Sequence, residues 1–176
     1  MKQVTILDGY IDEPSCLGVP PYLSPHSRYI YGALLAGGVD EKKIIYNTVD
    51  EVRKDKDWFA KQVGRWIIVL GGTTVPGKYL GGKPLTLKEM RSIPEKAPES
   101  ELWLIGPVVE VGVFIAGYSC RAEGAGIREI YKYLQPHKPF SSDMLKDFAL
   151  RGADLLPLHP NYPYVMCEIE TYRGCL

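Results

Sequence analysis

The chain has 176 residues, 45% of them hydrophobic, and its 21 Lys+Arg are balanced by 21 Asp+Glu. That length supports one well-buried core, or one domain with a short tail, and the balanced charge without long like-charge blocks does not imply a nucleic-acid partner. No apolar run approaches the ~20 residues of a membrane span, and "MKQVTILDGY" lacks the basic-then-apolar layout of a signal peptide, so a cytoplasmic protein is expected.

Val4 to Asp8, "VTILD", reads as a short buried strand, and the segment after it, with Pro14, Gly18, Pro20, Pro21 and Pro25, reads as a loop. Ser24 or Ser27 is placed to cap a helix through about Leu35, where Tyr29, Ile30, Ala33 and Leu34 recur at helical spacing and Gly37-Gly38 end it. "KKIIYNT" (42–48) predicts a second strand, and 50–63 a helix whose Val52, Phe59, Ala60 and Val63 face a sheet. "RWIIVLGG" (65–72) is a continuous β-branched and aromatic run of the kind found in a central parallel strand covered on both faces.

A glycine-rich loop then leads to a short helix capped near Thr86, with Glu89 completing a capping box. "PESELWLIGP" (98–107) predicts a fourth strand, and "VGVFIAGYS" (111–119) either a fifth or a hairpin partner. "AGIREIYKYL" and "SSDMLKDFALRGA" predict two helices, the second capped by Ser141 or Ser142 and ended by Gly152. In "ADLLPLHPNYPYV", Pro157, Pro160 and Pro163 predict an extended connector. Strands alternating with helices give the expected fold class: α/β, an open, mostly parallel Rossmann- or flavodoxin-like sheet with helices on both faces.

Ligands of such sheets bind at the carboxyl ends of the strands, where the strand order reverses. Three loops have that address: the one after strand one, "GGTTVPGKYLGG" after strand three, and "GPVVEVG" after strand four. Gly71, Gly72 and Gly106 are candidate cofactor-binding positions because a glycine lets the backbone approach a ligand, and Thr73 and Thr74 add hydroxyls that suit a phosphate or a corrin side chain. The competing reading is that these glycines only make tight turns. Neither Gly-x-Gly-x-x-Gly nor Gly-x-x-x-x-Gly-Lys-Ser/Thr occurs, which argues against dinucleotide and nucleoside triphosphate sites.

His26, His137 and His159 lack helical metal-ligand spacing, and no Gly-x-Ser-x-Gly elbow is present. His159 reads first as a turn residue. Of the four cysteines, Cys120 and Cys167 read as small buried apolar residues, and the wide separation of Cys16, Cys120 and the pair Cys167 and Cys175 argues against a disulfide framework.

"EIETYRGCL" (168–176) supplies a different signal. Ile169, Thr171, Arg173, Gly174 and Cys175 resemble the first strand of the catalytic barrel of radical S-adenosylmethionine enzymes, where Ile/Val-x-Thr-x-Arg-Gly-Cys leads into a Cys-x-x-x-Cys-x-x-Cys loop. The resemblance implies that Cys175 is the first thiolate ligand of a [4Fe–4S] cluster, soft sulfur suiting iron. It also implies that S-adenosylmethionine binds the open iron and is cleaved to a 5′-deoxyadenosyl radical. On this reading the chain is cut as the barrel begins, with residues 1–156 an α/β domain and 157–176 a linker and first barrel strand.

The first domain resembles the cobalamin-binding-like domain that precedes the barrel in cobalamin-dependent members. More narrowly, "ILDGYIDEPSCLGVPPYLSPHSRYIYGALL", "TVPGKYLGG" and "HPNYP…EIETYRGC" resemble an archaeal group of iron–sulfur oxidoreductases with a C-terminal helix-hairpin-helix. Cobalamin is a further cofactor the resemblance allows, although the base-off motif Asp-x-His-x-x-Gly is missing: Asp12 is followed two residues later by Pro14.

The expected function is therefore an accessory domain, inactive alone, whose partners are a small-molecule cofactor and the parent chain's own barrel. The alternative is a stand-alone flavodoxin-like module binding a flavin or another phosphorylated ligand. A third reading is a small hydrolase or transferase using Asp8, Asp12 or Glu13 as acid or base.

Overall fold

The computed structural model describes residues 2–12, 20–72 and 83–167. Five strands form one sheet: β1 (Val4–Asp8), β3 (Ile44–Thr48), β4 (Trp66–Leu70), β5 (Glu101–Ile105) and β6 (Cys120–Ala122). Their order is β3-β1-β4-β5-β6, and every pairing is parallel. Two-residue β2 (Tyr22–Leu23) pairs separately with β7 (Met166–Cys167), also in parallel. With β2 set aside, the main sheet has the flavodoxin-like order, and the chain reverses direction across the sheet between β1 and β4. The open, parallel, Rossmann- or flavodoxin-like α/β class read from the sequence is what the chain adopts.

Period-two alternation divides the apolar strands between two cores. Val4, Ile6, Ile44, Tyr46, Trp66, Ile68, Leu70, Trp103 and Ile105 face α1 (Pro25–Ala36), α5 (Ile127–Leu134) and α6 (Met144–Arg151). Leu7, Ile67, Val69, Leu102 and Leu104 face α2 (Val49–Lys54), α3 (Leu87–Lys96) and α4 (Pro107–Glu110). Because both faces are covered, β1 and β4 are buried at every position.

Helix α1 is the centre of the first layer. Its N-cap Ser24 accepts from His26 N at 3.0 Å, Pro25 fills the first turn, and Gly37 caps the end. Ile30 and Leu34 are fully buried, each worth about 1.5–3 kcal/mol of apolar burial. Gly32 faces α6 so closely that an added Cβ would overlap the Phe148 carbonyl oxygen, and one at Gly152 would overlap that of Arg28. Two backbones meet here without side chains between them. The capping box predicted at α3 is present, Thr86 Oγ1 accepting from Glu89 N and Glu89 accepting from Thr86 N; a second one, Thr48 with Glu51, starts α2.

Five local expectations are corrected. The helix expected over 50–63 stops at Lys54, because Asp55 turns out of helical geometry (φ −108°, ψ 100°) and accepts from Asp57 N; Trp58 then enters the core and a 3-10 turn follows at Ala60–Gln62. The segment 111–119 is neither strand nor hairpin partner. Gly112 and Gly117 take left-handed φ of 73° and 88°, and the edge strand begins only at Cys120. The connector expected to be extended begins as a 3-10 helix, Gly152–Leu158, with Leu155 fully buried against the α1 layer, since proline's fixed φ suits a tight turn as well as an extended chain. Finally, α6 takes Asp143 as its N-cap, with Ser141 Oγ accepting from Asp143 N. Cys120 and Cys167, expected to be buried, are half-buried.

Candidate functional site

The crevice of this topology lies between the carboxyl ends of β1 and β4. Of the residues proposed from sequence to hold a cofactor there, Gly71 N donates to Ile105 O at 2.8 Å, and Gly71 O accepts from Val108 N at 3.2 Å. Gly72 (φ 79°) lies where a Cβ would overlap Val108 N, and a Cβ on Gly106 (φ 109°) would sit 2.7 Å from Gly71 O. The structure therefore brings Gly71, Gly72 and Gly106 together, and the close approach they permit among the described residues is of the β4 loop to the β5 loop. Thr73, Thr74, Glu13, Cys16 and Cys175 lie outside the described residues.

Beside the crevice, on the α1 side, is a polar cluster whose composition was not anticipated. Asp8 ends β1 fully buried. Its Oδ1 accepts from Tyr10 N at 3.0 Å, and its Oδ2 accepts from Ser27 Oγ at 2.5 Å and from Tyr46 Oη at 2.9 Å. Burial pushes the Asp8 carboxyl above its ordinary range, against the three donors and nearby His26, which favour the charged form. Burial, and then Asp8 itself, holds the Tyr46 phenol well above its ordinary value, so Tyr46 acts as a donor. Engaged by all three donors, Asp8 joins β1 to α1 and β3.

His159 lies over this cluster, its ring centroid 6.0 Å from that of Tyr46. It is 3% exposed. Nδ1 accepts from Asn161 N at 3.2 Å, which assigns the proton to Nε2, and Nε2 has no partner among the described residues. Burial lowers its pKa to about 4, with Asp12 opposing. Asn161 donates to the Asp12 carbonyl, Asp12 N donates to Asp50 Oδ2 at 3.1 Å, and Lys54 pairs with the Asp12 carboxylate at 3.0 Å. The turn around His159 is thus bound to the segment after β1 and, through Asp12, to α2.

Asp8 and Asp12, read from sequence as acid or base candidates, and His159, read as a turn residue, meet in one place. Tyr46 and Asp50 were missed. The available signal was Asp8 itself, an acid closing a buried strand on the same face as the apolar Val4 and Ile6, which required hydrogen-bond donors from neighbouring elements. Cys120 lies elsewhere, in β6, its thiol pushed up by burial and by Glu129 and Glu101. Among the described residues no group of three or more His, Cys, Asp or Glu is arranged to hold a metal ion. Nor is any described helix long and apolar enough to cross a membrane.

Fold and crevice define the class: a flavodoxin-like parallel α/β domain with a polar, hydrogen-bonded edge at its switch point. The chain is 38% identical over 188 aligned residues to an uncharacterized protein of Archaeoglobus fulgidus, covering 98% of this chain and 32% of that protein. It is 36% identical over 190 residues to an uncharacterized protein of Methanocaldococcus jannaschii, covering 97% and 34%. The chain spans about a third of the length of these curated relatives, and so corresponds to a domain-sized part of longer archaeal proteins. No family model matches it, and no solved structure matches it.

Proposed function

We propose that this chain is the accessory α/β domain of a radical S-adenosylmethionine iron–sulfur enzyme. The observation that carries the reading is the run Ile169-x-Thr171-x-Arg173-Gly174-Cys175 following a flavodoxin-like domain, in a chain that accounts for about a third of its archaeal relatives. Cys175 is the proposed thiolate ligand, and the remaining ligands belong to the other two-thirds of the longer proteins. When bound, the cluster supplies the electron that cleaves S-adenosylmethionine.

The described residues contribute a scaffold to this chemistry. The buried Asp8, Ser27 and Tyr46 cluster fixes the carboxyl ends of β1 and β3, and the Asn161 and Asp12 contact anchors the segment that leads toward Cys175. His159 itself is not set up as a lower ligand for cobalamin, since its Nδ1 accepts from Asn161 N and its Nε2 carries the proton.

The test uses the full-length Archaeoglobus fulgidus relative, reconstituted without oxygen. The expected result is iron and sulfide in the proportion of one [4Fe–4S] cluster per chain and reductant-dependent formation of 5′-deoxyadenosine, both lost when the cysteine aligned with Cys175 becomes serine. A full-length protein that takes up no cluster, or whose cluster is indifferent to that cysteine, overturns the proposal.

A further inference from the structure

The early end of α2 has a consequence on the face of the sheet opposite α1. A helix continuing to residue 63 would lie along the sheet beside α3; instead the chain turns at Asp55 and a cleft of about 450 Å³ opens between α2 and α3. Leu7, Val49, Leu85 and Ile93 form its base, and Val52 and Phe59 its walls. It continues into a second hollow of about 690 Å³, the two sharing Arg53, Glu89, Ser92 and Lys96.

The rim is basic in a chain of zero net charge. Arg53 is committed to Asp50 and Glu89, at 3.0 and 2.8 Å. Glu89 would be raised by burial but is brought down to about 2 by Arg53 and Thr86, so it stays charged and paired at the rim. The other acid of the lining, Asp55, pairs with Lys61 at 2.6 Å. Lys56, Lys83, Lys88 and Lys96 have no carboxylate partner among the described residues. Lys96 instead lies 5.5 Å from the Phe59 ring centroid. Lys56 and Lys96 thus line the apolar cleft, and Lys83 and Lys88 join Lys96 along the adjoining hollow, a positive rim that favours an anion.

We propose that this cleft binds a small organic anion with an apolar body. The body rests against Phe59 and Val52 over Ile93, and its phosphate, sulfonate or carboxylate is held by Lys56 and Lys96, which line the same cleft. A volume of about 450 Å³ falls in the range of small-ligand pockets, and lysines on flexible stems suit a phosphate-like charge at the mouth. The site lies on the α2 and α3 face of the sheet and does not depend on the function proposed above.

The test is a titration of the chain with 8-anilino-1-naphthalenesulfonate, followed by fluorescence and by amide chemical shifts. One saturable site is expected, with shifts confined to residues 49–60 and 83–96. The double variant K56E/K96E should bind at least about tenfold more weakly, while K132E, on α5, binds as the wild type does. Competition identifies the natural chemistry: displacement by ADP points to a nucleotide and by decyl phosphate to an acyl or alkyl phosphate, and either supports the site. Shifts elsewhere, affinity unchanged in K56E/K96E, displacement by inorganic phosphate as effective as by both organic anions, or occupancy only by an acidic amphipathic peptide would each overturn the proposal. The wild-type shift map needs no variant, so a poorly folding K56E/K96E does not leave the matter open.

Discussion

Acidification should weaken this protein through His159, by an amount that follows from its burial. The imidazole is neutral in the fold, with Nδ1 accepting from Asn161 N and Nε2–H buried without a partner among the described residues. Its pKa falls from 6.5 to about 4, because burial disfavours the cation more than Asp12 favours it. Between those values the unfolded chain binds the proton and the folded chain does not, so the stability contributed above pH 6.5 is lost progressively as the pH falls toward 4. From pH 7 to pH 5 the loss is about 2 kcal/mol as an upper bound. Asp8 opposes it, since a raised carboxyl pKa makes stability fall as pH rises above 3.8. The comparison with His159→Asn cancels that opposing contribution, because Asp8 is common to both proteins and the asparagine carbonyl can accept from Asn161 N as Nδ1 does. Urea unfolding of the pair at half-unit steps from pH 7 to pH 5 is the assay. The stability gap between wild type and variant should narrow by up to about 2 kcal/mol. Parallel stability curves across that range would refute the argument that His159 is held neutral by burial.

Two further outcomes follow from backbone contact and from hydrogen bonding. Gly32→Ala should destabilise the chain by at least about 2 kcal/mol despite alanine's better helix propensity, because the new Cβ meets the Phe148 carbonyl and separates α1 from α6; a calorimetric Tm equal to or above wild type would contradict this packing. Asp8→Asn should cost about 1–3 kcal/mol at pH 7, since with Oδ1 kept for Tyr10 N the amide nitrogen replaces Oδ2, the one acceptor that the Ser27 and Tyr46 hydroxyls share; an unchanged urea midpoint would show that the cluster does not fasten β1 to α1.

Much of this architecture was legible in the chain. "WIIVL" (66–70) is apolar without interruption and "VTILD" nearly so up to Asp8, as strands covered on both faces are, and Ser24, Thr86 and Gly37 mark helix ends through their own side chains or the lack of one. Local chemistry of this kind does not depend on distant residues. The break at Asp55 was less legible, because Phe59, Ala60 and Val63 keep helical spacing while Trp58 is drawn into the core between them. The segment "VGVFIAGYS" has a strand's composition, but Val111 and Phe114 remain 74% and 70% exposed and Gly117 packs on Pro94.

By itself the sequence determined the alternation of strands and helices, hence the parallel sheet, and the motif at Cys175 on which the functional proposal rests. Tertiary structure decided what surrounds Asp8, why Gly71, Gly72 and Gly106 are small, and where the basic cleft opens. The physical reason is separation along the chain. Asp8 meets Tyr46 across 38 residues, and Asp12 meets Asn161 across 149, pairings set by strand register and layer packing that no local pattern encodes.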